Sequence, residues 1–298
     1  MFVEFDPQDW DKIASKSLNY NFYQSTQYAK IFEKVYGTKT KCFMIIDENE
    51  QIKVSGIAIV KEHQMAFEFG PLVYKDTKPQ DVKDFLNYVQ DKYPIKVKFT
   101  LNKQFMEKYK DVEEIPTYFS FSTLVLNIPK TEEEFLANCN ENRRRIIKKV
   151  KDKDFKIETD KENLIKFYDI YCQRLIDNKA EEAPPSYQFF KSILEEDGGK
   201  LFVCKKDNEI YSGILGFMFN KYFETRYNTN NTKFIKENAG TYLDYSLIKK
   251  FIKTREVEQY DFAGYSENAE GKFLGINTYK LSYGGKINGF DFKAKEKE

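Results

Sequence analysis

The chain has 298 residues, 41% hydrophobic and 16% aromatic, enough for two domains with cores of their own. Its 48 basic and 47 acidic residues leave a net charge of +1, so no global field draws it to nucleic acid or to an acidic surface. Four cysteines (Cys42, Cys139, Cys172, Cys204) stand singly, and the one histidine, His63, lies beside Lys61 and Glu62; metal-ligand spacing is absent and a histidine-based triad would rest on His63 alone.

In chain order, "MFVEFDPQDWD" opens acidic, without the basic and apolar regions of a secretory signal. "STQYAKIFEKVYG" (25–37) repeats Tyr28, Ile31, Phe32 and Val35 at helical spacing, with Gly37 placed to close the helix. "CFMIIDENEQIKVSGIAIVKEH" (42–63) reads as a hairpin turning at Asn49-Glu50. "MAFEFGPLVY", a helix containing Phe85 and Val89, and the strand "IKVKFTL" follow. "STLVLNIP" leads to a boundary near residue 128, which predicts an N-terminal domain over 1–128 and a C-terminal domain over 129–298.

"KTEEEFLANCNENRRRIIKKVKDK" opens on a capping-box spacing, Thr131 to Glu134, and reads as a helix with Phe135, Cys139, Ile146 and Val150 as its apolar stripe. "LIKFYDIYCQRLI" and "PSYQFFKSIL" are amphipathic helices. "LFVCKKDNEIYSGILGFMFNKY" (201–222) is a second hairpin. It shares its turn (Asn208-Glu209) and its Ser-Gly-Ile (212–214) with the first hairpin (Ser-Gly-Ile at 55–57), which points to an internal duplication. "YFETRYNTNN" is a strand, "TYLDYSLIKKFIK" a helix and "EQYDFAGY" a strand. "FLGINTYKLSYGGKINGF" reads as buried strand and turn. Strands alternating with helices around two hairpins predict an α/β (α+β) fold with mixed central sheets flanked by helices. The apolar runs "GIAIV" and "GILGFMF" are strand-sized and far short of a membrane span, so a soluble cytoplasmic protein is expected.

Three constellations could carry chemistry. Asn238, Gly240 and Thr241 precede or open a helix, where free N–H groups and a small residue suit a phosphate. Arg144, Arg145 and Lys148 belong to a run with six basic residues in the nine positions 143–151, which suits a phosphate-bearing partner or a plain solvated face. Asp261 near a strand end and Lys280 before Gly284-Gly285 could place charge at a site; Lys280 could hold a developing oxyanion or simply extend to solvent.

In this order the segments "NRRRIIKKV" (142–150), "YDFAGYSENAEG" (260–271) and "YKLSYGG" (279–285) resemble hallmark runs of the Fem family of peptidyltransferases. "FYQSTQYAKIF" (22–32) and "FEFGPLV" (67–73) resemble its N-terminal motifs, with Tyr28 for a tryptophan and Phe69 for an arginine. The resemblance implies two tandem GNAT-like domains. It implies aminoacyl transfer from aminoacyl-tRNA to an amine of a peptidoglycan precursor, with no metal and no resident cofactor. Lys280 is then implicated in transfer, and Arg144, Arg145, Lys148, Asp261, Tyr279 and Gly284 in substrate binding. Related double-GNAT proteins use acyl-CoA to modify amines, including amino sugars of surface polysaccharide; Asn238, Gly240 and Thr241 would then cradle the CoA pyrophosphate. A third alternative is a non-catalytic module whose basic helix docks RNA or a phosphorylated glycan.

Overall fold

The computed structural model describes residues 1–93, 95–102, 117–180 and 183–295. By contact the chain forms two compact units, one from Met1–Ser122 with the chain from Asn288 onward, the other from Thr123–Ile287. The division thus falls a few residues before the predicted 128, and the last strand joins the first unit.

In the first unit the strands are β1 (Phe2–Phe5), β2 (Lys39–Ile46), β3 (Ile52–Lys61), β4 (Gln64–Phe67), β5 (Leu72–Val73) and β6 (Lys96–Asn102). Its helices are α1 (Trp10–Ala14), α2 (Thr26–Tyr36) and α3 (Pro79–Lys92). The sheet order is β1-β2-β3-β4-β6-β13, where β13 is Lys286–Lys295 and β5 pairs beside β3. Side chains alternate across a strand, so each hairpin residue pair feeds opposite layers. Phe43 and Ala58 face α3 with Phe67, Phe85 and Val89; Cys42 and Ile57 face Trp10, Ala14 and Ala29 on α1 and α2. Helix α2 is capped as its sequence predicts, by the Ser25 hydroxyl at one end and by Gly37 in the left-handed region (φ 63°) at the other.

The second unit contains β7 (Thr117–Asn127, from Thr123), β8 (Lys156–Glu158), β9 (Gly199–Lys206), β10 (Glu209–Phe219), β11 (Tyr222–Asn230) and β12 (Gln259–Tyr265) in the order β7-β12-β11-β10-β9-β8. Its helices are α4 (Glu132–Asn138), α5 (Glu141–Val150), α6 (Leu164–Asp177), α7 (Tyr187–Glu195), α8 (Ala239–Thr254) and α9 (Lys272–Leu281). The apolar stripe of α8 (Leu243, Leu247, Phe251) packs on Phe202, Phe223 and Tyr260, while α6 and α7 pack against β11 and β9.

The repeat extends beyond the two hairpins. In each unit a hairpin is followed by an antiparallel third strand, a helix and a strand parallel to the third: β2-β3-β4-α3-β6 and β9-β10-β11-α8-β12. Both shared glycines make room for aromatic rings, from different elements in the two copies. A Cβ at Gly56 would stand 2.8 Å from the Phe67 and Phe85 rings of β4 and α3, and one at Gly213 would stand 2.5 Å from the Phe167 ring of α6.

Two expectations change. The segment 131–153 is two helices: the backbone turns extended at Cys139 and Asn140, and the Asn140 side chain caps α5 by accepting from the Arg143 N–H at 2.8 Å. The segment around Lys280 is helix α9, with the Tyr279 and Tyr283 rings edge to face one turn apart and the Thr278 hydroxyl bonded back to the Leu274 carbonyl. A short apolar run of this length suits either a strand or a helix, and its local pattern does not choose between them.

Candidate active site

The site begins where two parallel strands part. Strands β11 and β12 pair from Tyr222↔Gln259 through Glu224↔Asp261 and no further. On the other edge of β11 a bulge sets Thr225 and Arg226 opposite the single residue Gly216, whose missing Cβ would stand 2.2 Å from the Glu224 carbonyl oxygen. A bulge bends and twists its strand, which steers β11 away from its parallel neighbour at that point.

Asp261 lies at the last paired position and is 2% exposed. It accepts from the Tyr222 hydroxyl and, at 2.7 Å, from the Ala263 N–H. The latter bond closes over Ala263, which sits in the left-handed region at φ 57°. Burial and the neighbouring Glu224 push the Asp261 carboxyl up to about 7. Its folded pKa therefore exceeds its unfolded value near 4. The folded state holds the extra proton in between, so this group's contribution to stability falls as pH rises from about 4 to about 7. Asp261→Asn is expected to remove that slope and to be more stable than wild type at pH 8 by roughly 2–4 kcal/mol, with little difference at pH 4. Urea unfolding at the two pH values measures both; equal midpoints at pH 8 would contradict the assignment.

Beyond Asp261 the backbone carbonyls of Ala263 and Gly264 receive the Lys280 ammonium, the first at 3.2 Å. Lys280 is half-buried in the last turn of α9. Burial holds its pKa down to about 8, against the pull of Asp261, Asp244 and Glu224. A lysine so placed is fixed on rigid backbone, close to neutrality in charge preference, and sits at the mouth of the strand opening.

Behind it lies a buried polar network. Asp244, on the apolar side of α8, accepts from the Tyr260 hydroxyl at 2.6 Å and the Tyr279 hydroxyl at 2.5 Å. Burial raises its pKa. Arg143, 4% exposed, spreads its guanidinium 4.2 Å from the Tyr279 ring centre and 4.5 Å from that of Tyr283. It donates to the Ser282 hydroxyl at 2.8 Å and to the Thr241 hydroxyl. One cation thus ties α5, α8 and α9 together behind Lys280.

The other sequence-selected residues separate into two kinds. Arg144, Arg145 and Lys148 are exposed on the outer face of α5. Arg144 also bonds the Cys139 carbonyl, and Arg145 bonds Asn142 at 3.0 Å. Asn138 and Ser282 lie at the junction with α9, where the Asn140 N–H bonds the Ser282 carbonyl at 3.0 Å. Tyr279 is engaged with Asp244. Gly284 takes φ 82°, and a Cβ there would stand 2.6 Å from the Asn138 carbonyl oxygen, so its geometry serves close chain packing. Asn238 is exposed and left-handed at φ 57°, Gly240 abuts the Asn230 side chain, and the Thr241 hydroxyl is occupied by Arg143. Asn238, Gly240 and Thr241 are therefore together at the start of α8, with packing partners of their own. Glu224, Arg143 and Asp244 were not selected. Their signal is an ionisable residue on an apolar stripe: Arg143 precedes Ile147 and Val150 at i+4 and i+7, and Asp244 lies beside Leu243 and Leu247.

Comparison with known proteins places this geometry. Residues 135–281 match the acetyltransferase (GNAT) domain family. That match spans most of the second unit. Over its whole length the chain has a tandem-GNAT fold. It superposes on FemX with a TM-score of 0.76 at 12% identity, covering 98% of this chain and 96% of that one. It superposes on L-PGS from Bacillus licheniformis with a TM-score of 0.60 at 11% identity, covering 98% and 93%. It superposes on a tandem GNAT protein from the clavulanic acid biosynthesis pathway with a TM-score of 0.57 at 9% identity, covering 99% and 98%. No curated protein matches the sequence. Among the described residues of this tandem-GNAT chain no helix is long and apolar enough to cross a membrane, and no group of acidic, histidine or cysteine side chains could hold a metal.

Proposed function

We propose that the chain is an aminoacyltransferase of the Fem type, moving an amino acid from aminoacyl-tRNA to an amine of a peptidoglycan precursor. The observation that carries this reading is Lys280, an ammonium fixed on two backbone carbonyls at the opening between β11 and β12. Acyl transfer from an activated ester needs a positioned amine and a charge for the tetrahedral oxyanion. Lys280 supplies that charge. The exposed Arg144, Arg145, Lys148 and Lys149 supply a phosphate-binding face on α5, joined to the end of α9 through Asn140 and Ser282. The start of α8 favours a tRNA donor over acyl-CoA, because the Thr241 hydroxyl is already bonded to Arg143 and Gly240 faces Asn230.

Thermal unfolding in the presence of candidate donors tests the reading. A ligand held at 100 times its Kd adds about 2.7 kcal/mol to stability. A charged-tRNA acceptor-stem mimic is expected to raise Tm, and acetyl-CoA to leave it unchanged. Protection by acetyl-CoA alone would replace this proposal with a CoA-dependent N-acyltransferase.

A further inference from the structure

Lys280 is held at both of its ends. Its backbone belongs to the last turn of α9, and its ammonium rests on the Ala263 and Gly264 carbonyls at the end of β12. Where the ammonium stands therefore depends on how α9 and β12 are spaced. One buried side chain, from a third element, grips both. Asp244 of α8 is 6% exposed. Its Oδ1 accepts from the Tyr260 hydroxyl of β12 at 2.6 Å, and its Oδ2 accepts from the Tyr279 hydroxyl of α9 at 2.5 Å. Tyr260 lies on β12 shortly before the carbonyls that receive Lys280, and Tyr279 is the residue next to Lys280.

The residue type fits this arrangement. A carboxylate accepts on both oxygens, whereas an asparagine accepts on one. Oδ1 serves the strand and Oδ2 serves the helix, where the Tyr283 hydroxyl also meets it at 3.5 Å. Hydrogen bonds to an ionised acceptor are short and strong, and a buried setting strengthens them further.

We infer that Asp244 is a positioning residue for Lys280: its two oxygens fix the spacing of β12 and α9 and so hold the ammonium at the strand opening. The inference rests on the reading of Lys280 as the charge that meets the oxyanion, and adds the residue that aims it. A displacement of about 1 Å in a transfer site can cost about 10²-fold in rate. Three carboxylates act on the ammonium: Asp261 from β12, Asp244 from α8 and Glu224 from β11. Arg143 of α5 lies against the Tyr279 ring, and Arg226 of β11 pairs with Glu224. Tyr279→Phe keeps every one of these charges and releases only the helix side of the clamp.

The first test needs no substrate. Competitive acetylation of the full chain with acetic anhydride between about pH 6 and pH 11, read by peptide mass spectrometry, gives the titration midpoint of Lys280. It is expected near 8 in the wild type. In Tyr279→Phe it is expected to rise by about one unit or more, toward the ordinary lysine value of about 10.4, as the released ammonium regains water. Tyr74→Phe, which removes a buried hydroxyl bonded to Ser55 in the first unit, is expected to lower stability and to leave the Lys280 midpoint where it is. An unchanged midpoint in Tyr279→Phe overturns the clamp, and so does an equal shift in Tyr74→Phe. Single-turnover transfer from an alanylated acceptor-stem mimic to a precursor peptide amine is expected to fall about 10-fold in Tyr279→Phe and in Asp244→Asn, at unchanged affinity for the mimic. Wild-type rates in both variants overturn the clamp. A wild-type protein that shows the midpoint shift on Tyr279→Phe but no transfer from the mimic removes the tRNA reading and leaves the clamp standing.

Discussion

A Lys280→Met protein is expected to fold, to melt at a higher temperature than wild type at pH 7, and to lose transfer by about 10²–10³-fold. The gain and the loss have one origin. The ammonium sits where burial disfavours charge, which brings its pKa to about 8. That value lies below the unfolded lysine value of about 10.4. Below pH 8 the folded state carries a charge it would rather lose, and stability from this group returns only as pH rises from about 8 to about 10.4. Methionine fills the space and removes the charge. Transfer needs the opposite state, because an oxyanion is held by the protonated amine. The wild-type rate is therefore expected to decline as pH rises through about 8, in the window where the fold gains stability. Single-turnover transfer and thermal melts across pH 6.5–9.5 read the two effects separately. Full transfer by the methionine protein would remove Lys280 from the mechanism.

Arg143→Met is expected to lower stability by about 3–5 kcal/mol, read as a shift of the urea midpoint at unchanged slope. The arginine is the buried positive charge that Asp244 feels most directly, through the rings of Tyr279 and Tyr283. Methionine keeps the contact with the rings but leaves Asp244 with tyrosine hydroxyls only. Asp244→Asn in the same protein is expected to recover part of the loss, since the two residues belong to one network and their effects should not add. Simple additivity would show that each is held by its own neighbours.

The duplicated hairpins were legible because a turn chemistry and a Ser-Gly-Ile recur, and both have local causes. The α/β layering followed from strands alternating with helices, and its GNAT-like form from the resemblance of the C-terminal segments to the Fem family. The placement of Lys280 on α9 was less legible. "FLGINTYKL" is too short and too evenly apolar for periodicity to choose, and the choice is made by Tyr279 reaching Asp244 on α8, a contact 35 residues away. The basic run concealed its most consequential member for the same reason. Arg143 lies among exposed basic residues in sequence, yet its position on the stripe with Ile147 and Val150 turns it inward. Glu224 is one acid in a strand until β12 brings Asp261 beside it.

The last strand adds a constraint on how the chain is made. Strand β13 pairs antiparallel with β6, from Phe290↔Asn102 to Lys295↔Val97. On the ribosome, β6 emerges long before its partner, and the whole of Thr123–Ile287 is synthesised in between. Through that interval the N-terminal sheet waits with one side of β6 lacking its β13 partner. Bare strand edges invite pairing with other chains, so the interval before β13 arrives is the vulnerable stage of biogenesis.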